Sequence, residues 1–262
     1  QLAESAAVTP QNIYKTVSGN TRKIEKLNKK KEIERHHLTS FISNKDLKFL
    51  VYEIEDSETP DFIVNIENNL ISIEHTRLIN PELKKVEQYR ERIIQNARKR
   101  FRKKYKAELY VLFTFNNIRL KSGKSAEQKY TDEIFYLIEN IYLCNKKFDF
   151  RVESRDRTSR VSELIRSFSV DSTRNFENWQ HFGAYLVDYI DMDWLQKVIT
   201  KKENNIQRYP KIFYENWLLL VSDFGTKSSA HRFDHIDFSQ IKTKFDKVYI
   251  YNFRPDEVGS IK

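Results

Sequence analysis

The apolar positions change period several times along the chain. From Thr21 to about Ser43 they recur at helical spacing, with Leu38, Phe41 and Ile42 on one stripe and no breaker in between. Three strand patterns follow, LKFLVYEI at 47–54, DFIVNI at 61–66 and LISIEHTRL at 70–78. The polar break Glu67-Asn68-Asn69 predicts an antiparallel hairpin between the last two. Residues 81–106 read as a helix with Pro81 near its start and Val86, Tyr89, Ile93, Ala97, Phe101 and Tyr105 as the buried stripe. ELYVLFTF at 108–115 reads as a buried strand and 125–143 as an amphipathic helix. FDFRVE, GAYLVDYI, a helix over 193–208, NWLLLVS and KVYIYNF complete the pattern. Strands alternating with helices predict an α/β fold, a central mixed sheet flanked by helices behind a short helical N-terminal segment.

Strand alternation places Ser72, Glu74 and Thr76 on one face and Ile71, Ile73 and His75 on the other. The hairpin returns Asp61 to the same end. Two carboxylates that approach each other at neutral pH repel unless a cation lies between them or one takes up a proton. A hard divalent ion is the natural remedy, because Mg²⁺ takes one or two carboxylates together with waters and phosphate oxygens. On the preceding helix, Glu34 stands four residues before Leu38, so its acid falls on or beside the apolar stripe.

Composition narrows the field without naming a function. The 262 residues are 39% hydrophobic, with five glycines and five prolines, which suits a chain rich in regular structure. The formal charge of +9 favours an anionic partner, most often nucleic acid. A single cysteine, Cys144, excludes an internal disulfide, and no apolar run reaches the roughly 18 residues of a membrane span. A cytoplasmic protein without a membrane partner is the expectation. The chain begins with Gln rather than Met, so it reads as trimmed or as a fragment.

Pro60-Asp61, twelve intervening residues and Glu74-His75-Thr76 resemble the PD-(D/E)XK nuclease signature. The helix carrying Glu34 and the helix carrying Gln88 and Gln95 are also similar to that superfamily's core, over roughly residues 32–106. The resemblance implies a restriction-endonuclease-like sheet, Mg²⁺ with Mn²⁺ as a substitute, and hydrolysis of DNA phosphodiester bonds in restriction or phage defence. It makes Asp61 and Glu74 metal ligands, has Glu34 bind metal or orient its water, and sets Gln88 near water or phosphate. Thr76 stands where the family has Lys; a hydroxyl can orient water but supplies no positive charge. Lys201 or Lys202 on the late helix, or an arginine among residues 90–102, would have to make up that charge. Double-strand cleavage needs two active sites, which makes a homodimer an expectation. The competing expectation is a nuclease-like or helix-turn-helix protein that binds DNA without turnover.

Residues 1–31 form a basic leader and 32–262 the expected nuclease domain. The opening LAESAAVTPQNIYKTVSGN resembles a repressor-type helix-turn-helix, with Thr9, Gln11 and Asn12 towards base edges, and it also fits a plain helical hairpin. Other signals carry less. Ser122-Gly123-Lys124-Ser125 lacks the earlier glycine of a phosphate loop, since position 118 is Ile118. Asp223-Phe224-Gly225 reads as a turn, and His231, Asp234, His235 and Asp237 lack a recognised zinc spacing.

Overall fold

The computed structural model describes residues 28–154, 161–182 and 185–261. In chain order the elements are a helix α1 (28–42), β1 (Val51–Asp56), β2 (Phe62–Ile66), β3 (Asn69–Arg77), α2 (Pro81–Tyr105), β4 (Tyr110–Phe115) and α3 (Lys124–Asn145). They continue with β5 (Arg151–Glu153), β6 (Ile165–Asp171), β7 (Asn178–His181), β8 (Asp188–Tyr189), α4 (Met192–Glu203), β9 (Glu215–Ser222), β10 (His231–Arg232), β11 (Lys247–Asn252) and β12 (Glu257–Ser260). The helix-turn-helix expectation for the leader, with Thr9, Gln11 and Asn12, lies outside the described residues. The described residues, of which 32–261 were expected as one domain, fall into two compact units, one within 28–79 and 187–261 and the other within 80–186.

Among the described residues, the first unit is built on a six-stranded sheet in the order β1-β2-β3-β9-β11-β12. The first three strands form an antiparallel meander, while β9 runs parallel to β3 and β11 parallel to β9. Helices cover both faces. Leu38 and Phe41 of α1 pack with Ile71 and Ile73 of β3 and with Trp217, Leu219 and Val221 of β9. Leu195 and Ile199 of α4 pack on the opposite set, Leu218 and Leu220 of β9 with Val248 and Ile250 of β11. A central strand covered on both sides has no polar face to keep, which is why NWLLLVS is a continuous apolar run. The α/β class with a mixed sheet between helices is thus observed in this unit.

The β2–β3 hairpin sets the register of the acidic strand. Ile66 pairs with Asn69, so the loop is the two residues Glu67 and Asn68, one shorter than the polar break suggested. Both have positive φ, 51° and 66°, the requirement of a tight turn whose twist matches the strands. Asn tolerates this region, whereas a β-branched side chain clashes with the backbone. Asn68→Val is therefore expected to cost about 1–2 kcal/mol in urea unfolding and Asn68→Gly little or nothing.

The second unit places α2 and α3 on a four-stranded sheet, β5-β6-β4-β7, among the described residues. Asn80 caps α2 by accepting from the backbone of Glu82 and Leu83, Pro81 opens the first turn, and Lys106 closes the helix with positive φ. Ile93, Ile94, Ala97 and Phe101 are its buried residues, and Val86, expected on that stripe, is 41% exposed. The basic face of α2 is largely paired with acids of its own unit. Arg92 meets Glu127, Arg98 and Arg102 share Glu177, Arg100 meets Asp132, and Lys104 meets Glu139.

Candidate functional site

Asp61 and Glu74 converge, as the hairpin requires. The Lys202 ammonium of α4 donates to both, at 2.9 Å to Asp61 Oδ2 and 2.6 Å to Glu74 Oε2. One cation thus touches two carboxylates from neighbouring strands. Alternation along β3 turns Glu74 to the α4 side, and the parallel β3–β9 pairing aligns Glu74 with Leu218, which packs in the core beneath α4. Lys202 reaches the acids from the last turn of that helix, where a positive side chain also suits the helix dipole.

Each acid is fixed by further donors. The Asp61 carboxylate accepts the His75 backbone N–H at 2.9 Å. Its own carbonyl and that of Ser57 accept from Lys31, at 2.7 and 2.6 Å, while the same ammonium lies over the Phe62 ring. Lys31 therefore clamps the turn that delivers Asp61. Glu74 is only 1% exposed at its side chain, and both oxygens are held. Asn205 Nδ2 donates to Oε2 at 3.2 Å and the Tyr209 hydroxyl to Oε1 at 3.4 Å. Behind them Ser72 donates to Asn216.

The charges divide unequally between the two acids. Burial pushes Asp61 up, but the Lys202 charge and hydrogen bond, with the His75 N–H, hold its carboxyl below the ordinary value. Burial lifts Glu74 above the ordinary value; the Asp61 charge adds to the rise, against the pull of Lys202 and Asn205. Lys202 is raised despite burial because two anions face it. Burial, then the Glu74 charge, carries the Tyr209 phenol well above its usual range. A buried carboxylate pair whose pKa values are pushed in opposite directions is common at sites that do acid–base or metal chemistry.

Glu34 is buried, as its place on the stripe predicted, but its partners lie elsewhere. Its carboxylate pairs with Lys30 at 3.2 Å and lies 3.8 Å from His75 Nδ1, on the α1 side of β3. It shares no hydrogen bond with Asp61, Glu74 or Lys202. The expected three-acid ligand set is therefore not assembled, and among the described residues no group of three or more His, Cys, Asp or Glu side chains gathers as a metal site. The reason is geometric: successive residues of a strand face opposite ways, so an acid that meets His75 cannot meet Glu74 from the same helix. His75 Nε2 and His37 Nδ1 are 3.1 Å apart, and burial keeps both rings neutral, His37 falling to about 4.

Thr76 donates its hydroxyl to the His75 carbonyl at 2.8 Å. Gln88 is exposed on α2 in the second unit, and Gln95 donates to Glu91 and to the Trp179 carbonyl there; the carboxylate pair draws its contacts from the first unit. Lys202, one of the two lysines singled out in the sequence, is the cation in contact with both acids. The arginines at 92, 98, 100 and 102 are engaged with acids instead. Asn205 and Tyr209 were not legible, because the pattern over 193–208 reads as one helix. In the structure α4 ends at Glu203, and Ile206–Arg208 form a separate 3-10 turn that aims both side chains back at Glu74.

The minor motifs resolve plainly. Gly123, with φ of 107°, precedes α3 as its cap. Asp223-Phe224-Gly225 is a turn in which Asp223 accepts from the Gly225 N–H and from Arg254. Asp234 pairs with Arg232, and Asp237 caps the turn at Phe238–Gln240. No helix among the described residues is long and apolar enough to cross a membrane. No family model, curated protein or solved structure matches the chain.

Proposed function

We propose that the chain is a divalent-metal-dependent endonuclease of the PD-(D/E)XK kind acting on DNA, with Asp61 and Glu74 as metal ligands and Lys202 in the role of the motif lysine. The observation that carries this reading is the Lys202 ammonium, held at hydrogen-bond distance from both acids. Where an ammonium bridges two carboxylates, the same oxygens can hold a harder cation, and the donor set of two acids suits Mg²⁺ or Mn²⁺. Asp61 and Glu74 would hold such an ion, and the chemistry it would supply there is a lowered pKa for a water and an offset to charge on the leaving oxygen. The order of elements in the first unit also supports the reading: a helix, an antiparallel meander bearing the two acids, then a helix leading into a strand parallel to the last. The overall charge of +9 suits a phosphate backbone.

Within this reading the residues divide the work. Asp61, held below its usual pKa, stays anionic throughout the neutral range and anchors the ion. Glu74, raised by burial, is the acid whose ionised form a bound cation would favour most. Lys202 would face a phosphate oxygen or the attacking water if Asp61 and Glu74 held a metal. Asn205 and Tyr209 keep Glu74 from rotating away. Thr76, whose proton is given to its own strand, has only acceptor capacity left for water. Restriction or phage defence, a homodimer and a cytoplasmic setting belong to the same proposal.

The second reading is a DNA-binding protein without turnover, and it draws on the same bridge, since Lys202 already satisfies both acids. Supercoiled plasmid incubated with Mg²⁺, Mn²⁺ or EDTA separates the two. Metal-dependent conversion to open circle by the wild type, absent from Asp61→Asn, is the expected result. Retardation of DNA in a gel with no nicking under either metal would leave the binding reading in its place.

A further inference from the structure

Resting on the nuclease reading, we propose that residues 207–214, QRYPKIFY, form a loop that seats in duplex DNA, with Ile212 as an apolar wedge between base steps. The loop leaves the end of the 3-10 turn and enters β9. Two of its residues face inward. Tyr209 reaches Glu74, and its ring meets the edge of the buried Phe213 ring at 5.8 Å. At the far end the Tyr214 N–H donates to the Leu70 carbonyl at 2.9 Å. Between these anchors Ile212 is 99% exposed, Tyr214 is 69% exposed, and Leu70 adds a third uncovered apolar side chain.

A lone exposed apolar residue means little. Here two, Ile212 and Tyr214, lie on one segment pinned at both ends, with Leu70 joined to Tyr214 through the backbone, and one of the pins, Tyr209, donates to the site's own Glu74. The charged residues of the loop, Arg208 and Lys211, are exposed, and neither pairs with a carboxylate among the described residues. Lys211 lies 5.5 Å from the Phe213 ring, beside the tip rather than across it. Cations flanking a projecting aliphatic side chain match the duplex: phosphates take the charges, and an apolar wedge partly unstacks a base step. Along β3, Leu70 and Glu74 are four residues apart, about 13 Å of strand, so the wedge and the acids would address one stretch of duplex. A second copy of the chain is the less suitable occupant, because it would press Arg208 and Lys211 against a protein of formal charge +9.

The test uses the full chain in EDTA, a fluorescein-labelled duplex for affinity and a duplex with aminopurine at several positions for unstacking. The wild type is expected to bind and to raise aminopurine emission. Ile212→Ala should weaken binding roughly tenfold and flatten the emission rise. Arg208→Ala and Lys211→Ala should each lower the slope of log affinity against log salt by about 0.9. Because Ile212 touches solvent only, unchanged thermal melting checks that the variants fold. If Asp61→Asn abolishes nicking while Ile212→Ala binds and unstacks as the wild type does, the loop inference falls and the nuclease reading stands. If the wild type neither binds duplex nor nicks it, both fall. If Ile212→Ala leaves DNA affinity unchanged but converts a dimer to a monomer in sedimentation, the patch is a self-interface and the wedge is overturned.

Discussion

Lys202→Met is expected to lower the stability of the protein by about 3–5 kcal/mol at neutral pH, the cost of leaving buried charge without its partner. The side-chain volume is nearly kept, so packing against the sheet changes little; what is lost is the ammonium that reaches both Asp61 and Glu74. Asn205 and Tyr209 would still donate to Glu74 and the His75 N–H to Asp61, but these neutral dipoles do not cancel two negative charges. Chemical denaturation of wild type and variant, at several pH values, measures the difference.

The pH dependence has a definite sign. In the wild type, Asp61 is held below its unfolded value, so its contribution is present above that value and lost as the solution is acidified through the folded pKa. Lys202 is raised, so its share is complete below 10.5 and is lost only as alkali passes the folded value. In the variant both acids rise, Glu74 from a value already high and Asp61 because its chief source of depression is gone. The folded state then binds more protons than the unfolded one just above the ordinary carboxylate range, and stability must fall as pH increases through that region. The variant should therefore recover towards the wild type on mild acidification, where the wild type gains less. At neutral pH, Mn²⁺ should restore part of the loss by occupying the position the ammonium left, and Na⁺ at equal ionic strength should not. A variant equally stable at neutral pH, or indifferent to Mn²⁺, would deny that the two acids form a cation site.

Much of this site could be read from local pattern. Alternation in LISIEHT put Glu74 on the face opposite Ile73, and a short polar break returned Asp61 to it, because strand and hairpin geometry are set by neighbours in the chain. Lys202 was legible only as one of two lysines, since it meets Glu74 across 128 positions and through a parallel β3–β9 pairing that no local signal encodes. Periodicity gave Glu34 its buried place but not its partner, for a helical stripe specifies a face and leaves the opposing strand residue open. The two units went unread because neither Ile79–Asn80 nor Leu186–Val187 carries a Gly, Ser or Pro-rich linker. β6 was missed because Arg166, Ser167 and Ser169 dilute the apolar alternation of IRSFSVD. Helix α2, which follows the motif in sequence, belongs to the second unit, where its arginines answer Glu177, Asp132 and Glu127.

Glu74→Gln is expected to separate folding from function more cleanly than any other change. The amide keeps the shape of the carboxyl and its oxygen can still accept from Lys202 and Asn205, while the Tyr209 oxygen can accept from the new NH₂. What disappears is a negative charge that burial opposes, so the substitution removes a group whose folded pKa lies above its unfolded one. Such a group favours folding only while protonated, and at neutral pH its ionisation works against the fold. The variant should thus melt at or above the wild-type temperature and lose the part of the pH dependence that comes from Glu74. Nicking, by contrast, should drop about 10²–10³-fold, because one of two carboxylates that would hold the ion is neutral and Mg²⁺ binds neutral oxygens weakly. Higher Mn²⁺ should recover some of that rate, since the loss falls on metal affinity before it falls on the chemical step. A residue kept only for packing or for its ion pair would give the opposite combination, a lower melting temperature with nicking retained, and that result would remove Glu74 from the proposed machinery.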